Sequence, residues 1–81
     1  MKNTEKYTQV FMTVFQVKEE ALGAEFTFSN VEMWDSLAHM TLITKLEETF
    51  GIMFDTEDIL SYGSFLNGKK ILEKYGVDFN V

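Results

Sequence analysis

Apolar positions along the chain recur mostly at helical spacing. Residues 4–17 place Tyr7, Val10, Phe11 and Val14 on one face, the rhythm of an amphipathic helix. Asn3 or Thr4 is suited to cap its start. Residues 18–35 lose the rhythm. They hold Gly23, Ser29 and Asn30 but also Leu22, Phe26, Phe28, Val31, Met33 and Trp34. That mixture predicts an ordered loop with apolar anchors, because a free linker would not carry them. Loops of this length inside a small domain are uncommon and often functional. The clearest helix covers 36–50. At about 100° per residue, His39, Leu42, Ile43, Leu46 and Phe50 share one face. Leu37, Thr41, Thr44, Lys45 and Glu48 occupy the other, and Gly51 is placed to end the helix. Asp55 or Thr56 can cap a short helix near 57–62, which Gly63 stops. Ser64 can cap a last helix over 65–75, with Phe65, Ile71, Leu72 and Tyr75 facing inward and Gly76 beyond it. Strand signals are confined to a brief alternation at Glu25–Phe28 and the run Ile52–Phe54. Met12, Phe15 and Met33 read as isolated surface apolars, which are normal. The pattern predicts an all-α fold, a four-helix bundle with a long first loop and a short third helix. With no repeat and no linker, residues 1–81 are expected to form a single domain.

Composition narrows the function classes. The chain is 46% hydrophobic with eight Phe, three Tyr and one Trp, far richer than a disordered acidic tail. It has no Cys, which removes disulfides, Cys-based zinc sites and a protein thiol nucleophile. One His cannot make a His-rich metal centre. A net charge of −6 with seven Lys and no Arg argues against binding a nucleic-acid backbone. No apolar run approaches the roughly 18 residues of a membrane span. The first six residues are polar and lack the apolar stretch of a signal peptide, so the expected compartment is the cytoplasm.

The charge is unevenly distributed. Residues 1–18 carry a net +2, residues 19–58 a net −9 and residues 59–81 a net +1. Such a run is a solvated face or a docking surface for a basic partner. Asp55 to Leu60 is acidic but lacks the alternating ligands and glycine of a calcium loop. Glu19-Glu20 and Glu57-Asp58 read as helix-start or loop charges. No metal site is expected.

The candidate site is Asp35-Ser36-Leu37, where the long loop meets the main helix. Ser36 is suited to cap that helix. The same place is exposed, offers unpaired backbone N–H groups and lies at the positive end of the helix dipole, which suits a phosphate ester on its hydroxyl. Leu37 lies off the inward face, an apolar contact beside a modifiable hydroxyl. His39, central on the apolar face, is either a packed histidine with both ring nitrogens bonded or a contact for a bound group. No nucleophile–base pair accompanies it, so no enzyme is expected. Gly68 lies in the middle of the last helix's inward face. It provides either close helix packing or room for a carried chain.

Trp34-Asp35-Ser36-Leu37-Ala38-His39-Met40, then Leu42-Ile43, Leu46-Glu47-Glu48-Thr49-Phe50-Gly51-Ile52, Phe54-Asp55, and Ser64-Phe65 through Ile71-Leu72 together resemble the signature of the acyl carrier proteins and their aminoacyl and peptidyl relatives. The resemblance is dense over 34–75 and looser before it. It implies a bundle of the acyl-carrier type and a 4′-phosphopantetheine arm on Ser36, attached from coenzyme A by a separate phosphopantetheinyl transferase. It implies acyl intermediates carried as thioesters between loading and acyl-transferring enzymes of fatty-acid, polyketide or specialised biosynthesis. Asp35 and Leu37 match the residues flanking the attachment serine. Leu37, Thr41, Glu47 and Glu48 fall where the family meets its partners, and Glu48 shares the outward face with Leu37. Ala38 and Thr41 stand where many fatty-acid-synthesis carriers have acids, and Lys45 is a further departure, which speaks against fatty-acid-synthase partners; the Trp-Asp-Ser-Leu-x-His-Met form more closely resembles stand-alone carriers of specialised pathways. The implied shuttle is a monomer. Alternatives are an aminoacyl or peptidyl carrier, or a small acidic helical interaction module without a prosthetic group.

Overall fold

Tyr7, Val10, Phe11 and Phe15 recur at intervals of three and four. In the computed structural model of the chain, which describes residues 2–80, they form the buried face of α1 (Asn3–Phe15). Phe15 therefore belongs to the core rather than to the surface, because it stands one helical turn beyond Phe11. Gln16 takes the left-handed conformation with φ 53° and ends the helix before residue 17. Neither Asn3 nor Thr4 caps it; the cap position is Lys2, without a side-chain bond. Asn3 Nδ2 instead donates to the Asp78 carbonyl at 2.9 Å, and Thr4 Oγ1 donates to that of Phe79 at 3.0 Å. Their side chains tie down the carboxyl-terminal segment.

The long first loop is ordered by what it buries. After a 3-10 turn at Glu19–Ala21, Phe26 and Trp34 enter the core, while Phe28 and Met33 remain exposed. The alternation at 25–28 becomes one antiparallel bridge between Thr27 and Ser64. There Phe28 N–H donates to the Gly63 carbonyl at 2.8 Å, and Phe65 N–H to that of Phe26 at 2.9 Å.

The second helix, α2 (Ser36–Phe50), has the predicted bounds and buries Leu42, Ile43 and Leu46. Gly51 closes it at φ 65°, a backbone state that glycine enters without steric cost. The Glu47 carboxylate accepts from Phe54 N–H at 2.9 Å, which fixes the following turn. The short α3 (Thr56–Ser61) begins after Asp55 without a side-chain cap bond. The last helix, α4 (Phe65–Lys74), is capped by Ser64, whose hydroxyl accepts from Asn67 N–H. Phe65, Ile71 and Leu72 face inward as expected, and Tyr75 is half-buried.

Two polar clusters hold these elements together. Tyr7 and Tyr62 are fully buried and their hydroxyl oxygens lie 2.7 Å apart. Tyr7 donates to the Phe65 carbonyl at 2.6 Å, so Tyr62 donates to Tyr7. Burial pushes both hydroxyls well above the usual tyrosine value. Gly68 seats the pair: a Cβ there would collide with the Tyr62 ring tip and both hydroxyl oxygens. Close packing is thus the reason for this glycine, and the space beside it holds no vacancy for a carried chain. The second cluster is Asp58, buried at 9% exposure. Its carboxylate accepts from Lys74 Nζ at 2.7 Å and from the Tyr75 hydroxyl at 2.6 Å. Tyr75 in turn accepts from Asp55 N–H at 2.8 Å. Asp58 is a helix-start charge, as one of the two sequence readings had it, and it also clamps α3 to α4. Lys74 first, then Tyr75, hold its carboxyl below the usual range, and Asp58 in turn raises Lys74.

Candidate functional site

The loop arrives at α2 in an extended conformation, and Asp35 occupies the cap position. Its carboxylate accepts from Ala38 N–H at 2.8 Å. Ser36 is the first helical residue, not the cap expected from sequence. A carboxylate outperforms a hydroxyl here because it adds charge at the positive end of the helix dipole. The exchange has a chemical consequence. Ser36 is exposed, and its hydroxyl is spared the capping bond. The first-turn N–H groups of a helix have no intrahelical acceptor, so a phosphate on Ser36 would meet backbone donors at once.

Ser36 also stands at the mouth of a cleft of about 510 Å³. The first loop contributes Phe28 and Ser29, α2 contributes His39 and Met40, α3 contributes Ile59 and Leu60, and Tyr62 and Gly63 complete the lining. No Asp, Glu or Lys lines it. Leu60 is 80% exposed at its rim.

His39 joins three elements across this cleft. Trp34 Nε1 donates to His39 Nδ1 at 2.9 Å. Nδ1 is therefore the acceptor nitrogen, and Nε2 donates to the Ile59 carbonyl at 2.7 Å. The indole and imidazole planes lie within 27° of each other. With both nitrogens engaged, His39 is the packed, bonded histidine of the first sequence reading, and it presents only its ring to the cleft.

The flanking residues are brought to the outer face of α2. Leu37 is 78% exposed, and Thr41 and Glu48 are exposed beside it. Thr41 Oγ1 donates back to the Leu37 carbonyl at 3.0 Å. Glu47, by contrast, is half-buried and committed to Phe54 N–H. Sequence reasoning missed the rest of the cleft's lining. Leu60 and Met40 carried a signal, as apolar residues away from the periodic faces. Phe28 carried only that of an apolar loop anchor and Tyr62 none, because their places depend on the bridge between the first loop and the α3–α4 turn. Among the described residues no group of three or more His, Asp or Glu side chains converges as a metal site, and no helix is long and apolar enough to cross a membrane.

Comparison with protein-family models matches residues 8–67 to the phosphopantetheine attachment site family. That stretch runs from α1 into α4 and includes Ser36 and every residue lining the cleft. Comparisons with curated proteins and with solved structures give no match.

Proposed function

The chain belongs to the phosphopantetheine attachment site family, and we propose that Ser36 is the residue that bears its 4′-phosphopantetheine arm. Carrier domains of this family are not catalysts; they are loaded by a phosphopantetheinyl transferase and presented to biosynthetic enzymes. The observation that supports Ser36 is its placement: an exposed hydroxyl, freed from capping by Asp35, at the start of a helix and the mouth of an apolar cleft. When attached, the arm supplies a terminal thiol that holds an acyl group as a thioester, which accounts for a carrier without cysteine.

The protein's own groups divide the work. The first-turn amides of α2 face the phosphate. Asp35 keeps the helix start ordered. Leu37 offers an apolar contact to the transferase and later partners, with Thr41 and Glu48 on the same face. Glu47 acts on that face indirectly, by holding the turn after α2. The cleft receives the apolar part of the cargo. Its lining lacks a carboxylate to pair with an ammonium group, which favours acyl over aminoacyl or peptidyl cargo. The outer face of α2 bears Lys45 and Thr41 among few acids. That composition fits the enzymes of a specialised pathway better than acid-seeking fatty-acid-synthesis enzymes. The protein would act as a monomeric cytoplasmic shuttle.

Intact-protein mass spectrometry after incubation with coenzyme A, Mg²⁺ and a broad-specificity transferase tests the assignment. Wild type gains one phosphopantetheine and Ser36→Ala gains none. Wild type unmodified by several transferases, or Ser36→Ala still modified, overturns it.

A further inference from the structure

We propose that Tyr62 sets the size limit on the cargo, closing the cleft beside Ser36 to long alkyl chains. The inference rests on Ser36 as the attachment residue and adds the class of group carried, a short or compact apolar acyl group.

The cleft has an inner end, and Tyr62 forms it. It is the one residue of the lining that is fully buried, so it borders the cleft from the core side. The hydroxyl is held on the core side by Tyr7, which is itself bonded to the Phe65 carbonyl. Phe54 packs edge-on against the ring at 5.9 Å and His39 at 6.4 Å. Gly68 lets the Tyr62 and Tyr7 hydroxyls sit against the α4 backbone, so the ring cannot sink further inward. A chain passing into the bundle would have to expel Tyr62. That would strand a buried hydroxyl pair which is now fully bonded, an arrangement costly to break.

What lies behind the wall offers no alternative route. Phe11, Leu42, Leu46 and Leu72 are fully buried in the same core cluster as Tyr62, and protein interiors are close-packed. On the cleft side, His39 has spent both ring nitrogens. With the Ser36 oxygen spent in the ester, the side-chain hydroxyl left to a cargo is that of Ser29. The site therefore suits an apolar group short enough to end at the Tyr62 ring; a longer chain leaves over the exposed rim at Leu60.

The test uses the full chain loaded with acetyl, butyryl, octanoyl or palmitoyl phosphopantetheine from the corresponding acyl-coenzyme A. Loading is verified by intact mass before any other measurement. Absence of loading overturns the attachment reading and the size limit with it. In loaded protein, methyl resonances of Met40 and Leu60 are expected to shift from the shortest cargo onward. Those of Leu46 and Leu72 are expected to stay in place even with palmitoyl. Shifts at Leu46 and Leu72 that grow with chain length overturn the size limit with the attachment reading intact. Hydroxylamine cleavage of the thioester gives a second readout. Octanoyl and palmitoyl forms are expected to react at the same rate in wild type and in Tyr62→Phe, which keeps the wall. Tyr62→Leu is expected to slow palmitoyl cleavage severalfold by admitting the chain. Palmitoyl protection already present in wild type overturns the proposal, a result that does not depend on whether Tyr62→Leu folds.

Discussion

At the scale of single residues, the most informative position is the one without a side chain. Glycine inside a helix costs about 1 kcal/mol relative to alanine, so Gly68→Ala on an exposed helix would stabilise. Here the added methyl enters the space of the Tyr7 and Tyr62 hydroxyls, and overpacking of a filled core costs about 1–3 kcal/mol. Gly68→Ala is expected to lower stability by about 1 kcal/mol net, the overpacking cost less the helix gain, read as a drop in the urea midpoint at constant slope. A rise in the midpoint would mean that the tyrosines have somewhere to go. The sequence showed that Gly68 was unusual, but its tyrosine partners lie on other elements. Tyr7 and Tyr62 are 55 residues apart, and no local periodicity joins them. The capping exchange at Asp35 and Ser36 escaped notice for the opposite reason. Both residue types cap helices well, and the choice between neighbours turns on the carboxylate's charge at the helix start and on how the loop enters, neither of which periodicity shows.

At the scale of elements, α2 is the organiser, and its signals are local. The rhythm of Leu42, Ile43 and Leu46, the αL glycine at 51 and the cap at Ser64 are all short-range features, so the helices were legible nearly to their ends. What periodicity does not carry is how the first loop and α3 attach to α2. The Trp34–His39–Ile59 relay does this, spanning 5 and then 20 residues. Trp34→Phe keeps most of the aromatic volume but leaves His39 Nδ1 without its donor. The expected cost is about 1–3 kcal/mol for the lost bond and the unmet nitrogen, together with faster amide hydrogen exchange in residues 26–34. Unchanged exchange there would remove the relay as the loop's fastening.

At the scale of the whole molecule, stability has an acid limit that can be assigned. Asp58 is held below the ordinary carboxyl value of 3.8 by Lys74 and Tyr75. Its ionised form therefore favours the folded state. That contribution is present above pH 3.8 and is lost as pH falls through the lower folded value. Asp58→Asn is expected to be less stable than wild type at neutral pH, and the difference is expected to shrink as pH drops below 3.8. Urea unfolding across that window measures it, and a difference that stays constant with pH would assign the effect to packing. The α3–α4 clamp was hidden in the sequence because its acid sits in a run of acids. Only the fold shows which one has a cation and a hydroxyl against it.

Trp34 is the single tryptophan of the chain, and its indole N–H ends on the imidazole that lines the cleft. The molecule consequently contains one indole fluorophore, excitable apart from its three tyrosines and joined by a 2.9 Å bond to the imidazole beside which cargo would lie. Whatever displaces His39 alters the polarity and bonding of that indole and so the colour and yield of its emission. Loading, discharge and cargo exchange can then be followed optically in real time on the unlabelled protein.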